Sequence, residues 1–168
     1  VSIAYFLIGL PASGKSTWRA AHLEKSCTPT VTISSDDLID QYATEHGITY
    51  SQAFKEMNLR EVDKKLEEQI RSAVLLGVDI IIDRTNLTRK IRKKFLQLLP
   101  STYWKKAVVF ELHRDELQQR LDKRAETTGK FIPNHVIDNM ANIFTYPDLT
   151  EFDEIVNHYQ CLFTPLPL

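Results

Sequence analysis

Cysteine is nearly absent from this sequence, and so are long apolar runs, clustered histidines and any excess of charge of one sign. Among 168 residues there are two cysteines, Cys27 and Cys161, far apart and outside any metal-type pair. Two unclustered thiols exclude a disulfide framework and fit a reducing compartment, so a cytoplasmic protein is expected. The five histidines are scattered without ligand spacing, which argues against a structural zinc site. A formal net charge of −1 excludes a uniformly basic surface, so any contact with nucleic acid must come from a local patch. The longest apolar stretches, "IAYFLIGL" and "VDIIID", are too short to cross a bilayer, and no membrane partner is expected. The opening residues lack the basic leader and small-residue cleavage site of a signal peptide. Repeats, low-complexity stretches and linkers are missing too, so residues 1–168 read as a single domain, with no signature of oligomeric state. The 43% hydrophobic content is enough for a real core.

What is present is an alternation of short apolar runs with helix-period segments. Residues 3–9, 31–34, 79–83, 107–112 and 153–157 read as strands. Consecutive rather than alternating apolar residues suit strands buried on both faces of a parallel sheet. Leu59, Val62, Leu66, Ile70 and Val74 recur at three- and four-residue spacing, which predicts a helix over 59–76 with Gly77 as its cap. A second helix is predicted over 89–99, ended by Pro100, and a third running to 144 with Pro133 as its first residue. This order predicts a doubly wound α/β fold, in which ligands bind beyond the carboxyl ends of the strands.

Residues 9–17, "GLPASGKST", match G-x-x-x-x-G-K-[ST] in full, after a predicted strand and opening a predicted helix. Gly9 and Gly14 permit backbone angles closed to other residues, so that the amides through Ala12, Ser13 and Thr17 can turn toward phosphate oxygens. The helix that follows adds its positive N-terminal dipole. Lys15 is placed to neutralise β- and γ-phosphate charge, and the Ser16 hydroxyl to ligate Mg²⁺. A nucleoside triphosphate, ATP or another donor, is therefore the expected cofactor, together with Mg²⁺.

The second strand leads into adjacent carboxylates, Asp36 and Asp37. Ser34 and Asp37 fit the capping pattern [ST]-x-x-[DE], with the Asp37 side chain as reciprocal partner. That leaves Asp36 without a structural job. A hydroxyl attacking a γ-phosphate benefits from a carboxylate that orients it and accepts its proton, so Asp36 is the candidate general base. A water-mediated magnesium contact is the alternative.

The segments "GLPASGKSTW", "ISSDD", "IIDRTNL" and "LQQRLDKRAETTGKFIP", in this order, resemble the P-loop polynucleotide 5′-hydroxyl kinase family over residues 3–155. The resemblance implies a nucleoside-kinase-like three-layer fold, with a central parallel sheet, a phosphate loop after the first strand and a helical lid. It implies a catalytic aspartate at Asp36 and lid arginines at Arg120 and Arg124, four apart and so on one helix face, for which a solvated face with the Glu116–Arg120 pairing is the alternative. For a phage protein the compartment would be the host cytoplasm. Two features depart from the pattern. Where an arginine that holds the acceptor strand is expected just after the aspartate pair, the chain has Leu38, Ile39 and Asp40. Arg84 stands directly before Thr85 and Asn86, with Asp83 one place earlier. Asp83 is therefore assigned to the magnesium shell, and Arg84, Thr85 and Asn86 to the acceptor side, with a turn role as the alternative for Asn86. Arg89 opens the basic run "RKIRKKF", where Lys90, Arg92, Lys93 and Lys94 offer either a solvated face or contacts to acceptor phosphates.

The expected activity is transfer of the ATP γ-phosphate to a nucleic-acid hydroxyl, foremost the 5′-OH of DNA or RNA. The hydroxymethyl group of 5-hydroxymethyluracil, a small-molecule acceptor, and a nucleotide-dependent switch without an acceptor are the alternatives.

Overall fold

Five apolar runs form one fully parallel sheet: β1 (Ser2–Ile8), β2 (Thr30–Ser34), β3 (Asp79–Asp83), β4 (Tyr103–Glu111) and β5 (Glu154–Tyr159), in the order β2-β3-β1-β4-β5. The computed structural model describes residues 1–159. Within β1, Ala4, Phe6 and Ile8 join one core cluster, and Tyr5 and Leu7 join another on the opposite face. Both faces are therefore covered, which is why these strands read as continuous apolar runs. One face carries α4 (Leu59–Leu76), through Val62, Leu66 and Ile70, and α5 (Arg89–Leu96), through Phe95. The other carries α1 (Lys15–Lys25), through Trp18. The sheet between helical layers is the P-loop kinase-like α/β fold that the motif order implied.

The short helices α2 (Ser35–His46) and α3 (Tyr50–Glu56) pack together through Ile39, Ala43 and Ala53. The lid consists of α6 (Arg114–Thr128) and α7 (Asn134–Ile143). Leu117, Leu121 and Ile137 join these helices and pack on Leu10 and Ala12 of the loop after β1.

All five strands and the 59–76 helix stand where the pattern put them, and Gly77 closes that helix in the left-handed region at φ 65°. Several boundaries moved, β4 and the 89–99 helix by the most. β4 begins at Tyr103 rather than 107, because "WKK" pairs with β1 through backbone bonds that its polar side chains conceal in the sequence. The helix over 89–99 ends at Leu96, the remainder being turn. Pro133 is the residue before α7 rather than its first, with φ −60° and ψ 144°. Cys27 is free and exposed, while Cys161 lies outside the described residues. No helix among the described residues is long and apolar enough to cross a membrane.

Candidate active site

The parallel register brings three strand ends into line: Leu7 of β1 and Ser34 of β2 both stand opposite Asp83 of β3. The loop after β1, the start of α2 and the end of β3 therefore open into one space. That space is a cleft of about 1080 Å³ roofed by the lid, and Lys15, Asp36, Asp83 and Arg124 all line it. The adjacent strands β1 and β4 lead to β2 and β5 on opposite sides of the sheet, so the cleft lies at the topological switch point.

Gly9 is required here by close approach. A Cβ on it would stand 2.7 Å from Ser13 Oγ and 2.9 Å from the Phe110 carbonyl oxygen. The amide of Gly9 donates to the Thr85 carbonyl at 3.0 Å, tying the loop to the segment after β3. Ala12 and Gly14 take positive φ, 62° and 101°, and alternation of this kind turns successive amides inward. Ser13 is buried, whereas Ser16 and Thr17 are exposed at the start of α1, where the helix dipole favours an anion. Lys15 is buried, and its ammonium donates to the carbonyls of Leu10 (2.7 Å) and Gly9 (3.0 Å). Burial lowers its pKa to about 8, against the opposing pull of Asp83 and Asp36.

Ser34 caps α2, accepting from the Asp37 amide at 3.2 Å, as its sequence position implied. The Asp37 carboxylate does not return the bond. It pairs instead with Arg19 at 3.0 Å, because Arg19 on α1 offers a full charge where the Ser34 amide offers a dipole. Arg19 also reaches the buried Asp83 at 3.0 Å. Burial raises the Asp83 pKa, and Arg19 and then Lys15 oppose that rise. Asp36 is half-exposed in the cleft. It accepts from the Tyr50 hydroxyl at 2.8 Å through Oδ1 and from Arg124 at 3.3 Å through Oδ2. Burial, and after it the Asp36 charge, drives the Tyr50 pKa far up, so that hydroxyl remains a donor. Lys130 stands 4.1 Å over the Tyr50 ring and bonds Asp40 at 2.7 Å. Arg120 lines the cleft with Arg124 and pairs with Glu116 at 2.7 Å.

The residues that the sequence assigned to an acceptor side divide. Arg84 and Thr85 line the cleft, with Arg84 held by Asp63 at 2.9 Å and by the Phe95 ring. Asn86 does not line it. Fully buried at φ 48°, it donates to the Leu7 carbonyl at 2.8 Å and braces the strand ends from below, which is the turn role. Arg89 points to Asp148 (2.8 Å) and Thr150, on the loop before β5. Arg92 is no part of a solvated or phosphate-binding face: it is fully buried, clamped by Glu151 at 2.8 and 3.0 Å and bonded to the Thr145 carbonyl at 2.8 Å. Lys94 is taken by Asp63 and Glu67. Lys90 and Lys93 line a shallow groove on the outer side of α5. Sequence reasoning missed Arg19, Tyr50 and Lys130. For Arg19 a signal existed, since it follows Lys15 by one helical turn and must share its face.

A magnesium ion fits the donor set, because Ser16 and Asp83 offer one hydroxyl and one carboxylate on the same cleft. Mg²⁺ commonly takes one or two protein oxygens and fills the rest of its shell from phosphates and water.

This combination of phosphate loop, strand-end carboxylates and arginine-bearing lid on a five-stranded parallel sheet defines a P-loop protein of kinase-like fold. The chain belongs to the AAA domain family, whose model matches residues 5–147. It is 20% identical over 153 residues to heterogeneous nuclear ribonucleoprotein U-like protein 2 of Homo sapiens, matching 89% of this chain and 20% of that protein. Among solved structures it resembles a chain of the Pnkp1/Rnl/Hen1 RNA repair complex, with TM-score 0.69 and 24% identity over 84% of this chain and 43% of that one. It also resembles a gluconokinase from Sinorhizobium meliloti 1021, with TM-score 0.57 and 16% identity over 94% and 82%. The chain thus spans about a fifth of the curated relative and under half of the repair-complex chain.

Proposed function

We propose that this chain is an ATP-dependent kinase acting on a hydroxyl of nucleic acid, foremost the 5′-OH of a DNA or RNA end. The observation that carries the reading is the placement of Asp36 in the same cleft as Lys15, with lid Arg124 reaching its carboxylate at 3.3 Å. A nucleotide-dependent switch would use such a carboxylate to position water, and Asp36→Asn would then slow ATP hydrolysis rather than acceptor phosphorylation. In the proposed reaction the acceptor oxygen attacks the γ-phosphorus, the bond to the β–γ bridging oxygen breaks, and ADP leaves. The hydroxyl proton passes to Asp36. Lys15 and the loop amides hold the phosphates, and Arg120 and Arg124 stabilise charge on the transferred group. Magnesium, bound with the nucleotide at Ser16 and Asp83, would neutralise phosphate charge. Likeness to a chain of an RNA repair complex, together with the motif order, supports a nucleic-acid acceptor. Likeness to a gluconokinase keeps a small-molecule acceptor as the second reading.

The test offers γ-labelled ATP with 5′-OH DNA, 5′-OH RNA, hydroxymethyluracil-containing DNA, gluconate and other small alcohols, with Lys15→Ala and Asp36→Asn as controls. Label on the 5′-OH ends, lost in both variants, is expected. Label only on a small molecule, or only as free phosphate, overturns the proposal.

A further inference from the structure

The mouth of the cleft on the Asp36 side carries large apolar side chains that the molecule leaves in solvent. Phe54 of α3 is 48% exposed and Phe131, between α6 and α7, is 70% exposed. Both line the cleft, Phe54 from the α2–α3 pair and Phe131 from the lid. Exposed aromatics scattered on a surface need no explanation, but two that share a catalytic cleft with polar groups are what a ligand site presents.

Their position relative to the chemistry is fixed by Tyr50. Its hydroxyl touches Asp36 at 2.8 Å, and its ring lies 6.3 Å from that of Phe54 with an interplanar angle of 23°. A path of one hydrogen bond and two near-parallel rings therefore leads from the candidate base to the exposed aromatic face. Lys130 stands over the Tyr50 ring, whereas the Phe54 ring is the more exposed of the two. The cleft, at about 1080 Å³, exceeds the 300–1,000 Å³ of an ordinary single-ligand site and has space for an acceptor beside the donor nucleotide. Lys55, one residue on and also lining the cleft, supplies positive charge beside the ring, as a phosphate-bearing ligand requires.

The geometry points to an acceptor-base subsite: Phe54, with Phe131 of the lid lining the same cleft, takes the nucleobase of the terminal nucleotide whose hydroxyl meets Asp36. The proposal rests on the nucleic-acid kinase reading and adds to it the part of the acceptor that is recognised. A flat base stacks on an aromatic ring whatever its sequence, so the subsite selects nucleotide ends over sugars or sugar acids without selecting a particular base. It takes the place in acceptor recognition that Leu38 and Ile39 leave unfilled, since Ile39 is buried in the α2–α3 seam and Leu38 packs on the main core.

The test compares a 5′-OH oligonucleotide with the same oligonucleotide made abasic at its terminal position, which keeps the sugar, hydroxyl and phosphates. Wild type is expected to show a KM roughly tenfold lower for the base-bearing acceptor. Phe54→Ala and Phe131→Ala raise that KM by about the same factor and so remove the advantage over the abasic acceptor, whereas Phe54→Trp keeps it. A terminal 2-aminopurine is expected to lose fluorescence on binding to the wild-type protein, a readout of stacking that needs neither variant nor turnover. Equal KM values for the two acceptors with no 2-aminopurine quenching overturn the subsite and leave the kinase reading standing. Phosphorylation of a sugar acid with none of either oligonucleotide overturns both.

Discussion

Arg19 and Asp83 meet at 3.0 Å at the floor of the cleft, and the same guanidinium nitrogen lies 3.0 Å from Asp37. Burial disfavours the Asp83 anion, and Arg19 is the first group that opposes this. Arg19→Ala is therefore expected to push the Asp83 pKa further up. A carboxyl whose folded pKa is raised lends stability at low pH and loses it as pH climbs through that pKa. The variant should fall below wild type by about 2 kcal/mol at pH 7, with a smaller deficit near pH 4. Urea unfolding at the two pH values measures this, and a deficit that grows at low pH would exclude it. The Asp37 arm, more exposed, adds little.

Lys15 gives nucleotide binding a pH limit. With its pKa lowered to about 8, it carries its charge below pH 8 and loses it above. Bound phosphates favour the charged form, so binding above pH 8 must take up a proton. Affinity is expected to be flat with pH below 8 and to fall by up to about tenfold per unit above it. Calorimetry at pH 9 in buffers of different ionisation enthalpy should show this uptake, approaching one proton. Lys15→Arg, which stays charged, should bind with no such uptake whatever its affinity.

Gly9 is kept as glycine by close contact rather than by its backbone angle. Its replacement by alanine forces a Cβ against Ser13 Oγ at 2.7 Å and the Phe110 carbonyl at 2.9 Å. Ser13 can turn aside, but backbone cannot, so the loop must shift away from β4. Gly9→Ala should cost about 1–3 kcal/mol of stability and weaken ATP binding by tenfold or more. Thermal unfolding with and without ATP separates the two effects. Gly77, whose added Cβ would meet nothing, is the contrasting site, where only the strain of its positive φ is felt.

The sheet and the phosphate loop were legible because they depend on local patterns: apolar runs, and glycines at fixed spacing. Asp36 was set apart in the sequence as the carboxylate that a Ser34–Asp37 cap leaves over, whereas in the structure Ser34 caps alone and the Asp37 carboxylate goes to Arg19. Side-chain pairing across the fold was not legible. Nothing near Arg92 in sequence announces Glu151, which clamps it from 59 residues away. A run of five cations looks uniform along the chain, yet one turn of helix sends Arg92 into the core, Arg89 to Asp148 and Lys94 to Asp63. Tyr50 stayed hidden for the same reason, because its link to Asp36 arises only when α3 folds back on α2.

Arg92 and its helix neighbours should accordingly behave in opposite ways. Arg92→Ala strands Glu151 in the interior and is expected to cost about 3–5 kcal/mol. Arg92→Met with Glu151→Gln should recover part of that loss. Neither change should alter how acceptor affinity depends on salt. Lys90→Glu with Lys93→Glu should leave stability within about 0.5 kcal/mol of wild type. If nucleic-acid phosphates run along α5, the same pair flattens the salt dependence of acceptor KM; an unchanged slope would remove this helix from the acceptor path.

Tyr50 tests whether Asp36 acts alone. The tyrosine donates to Oδ1 and so fixes the carboxylate plane, leaving Oδ2 on the side of lid Arg124. Tyr50→Phe keeps the ring, its Lys130 contact and the packing on Phe54, and removes only the hydroxyl. A lost hydrogen bond to a charged group corresponds to roughly tenfold in kcat, with KM for ATP unchanged. Asp36→Asn is expected to lose a hundredfold or more. If the tyrosine works through the aspartate, Tyr50→Phe should cost nothing further in an Asp36→Asn background, since there is no longer a base to orient. Losses that multiply in the double variant would give Tyr50 a separate contact with the acceptor and take from it the positioning role.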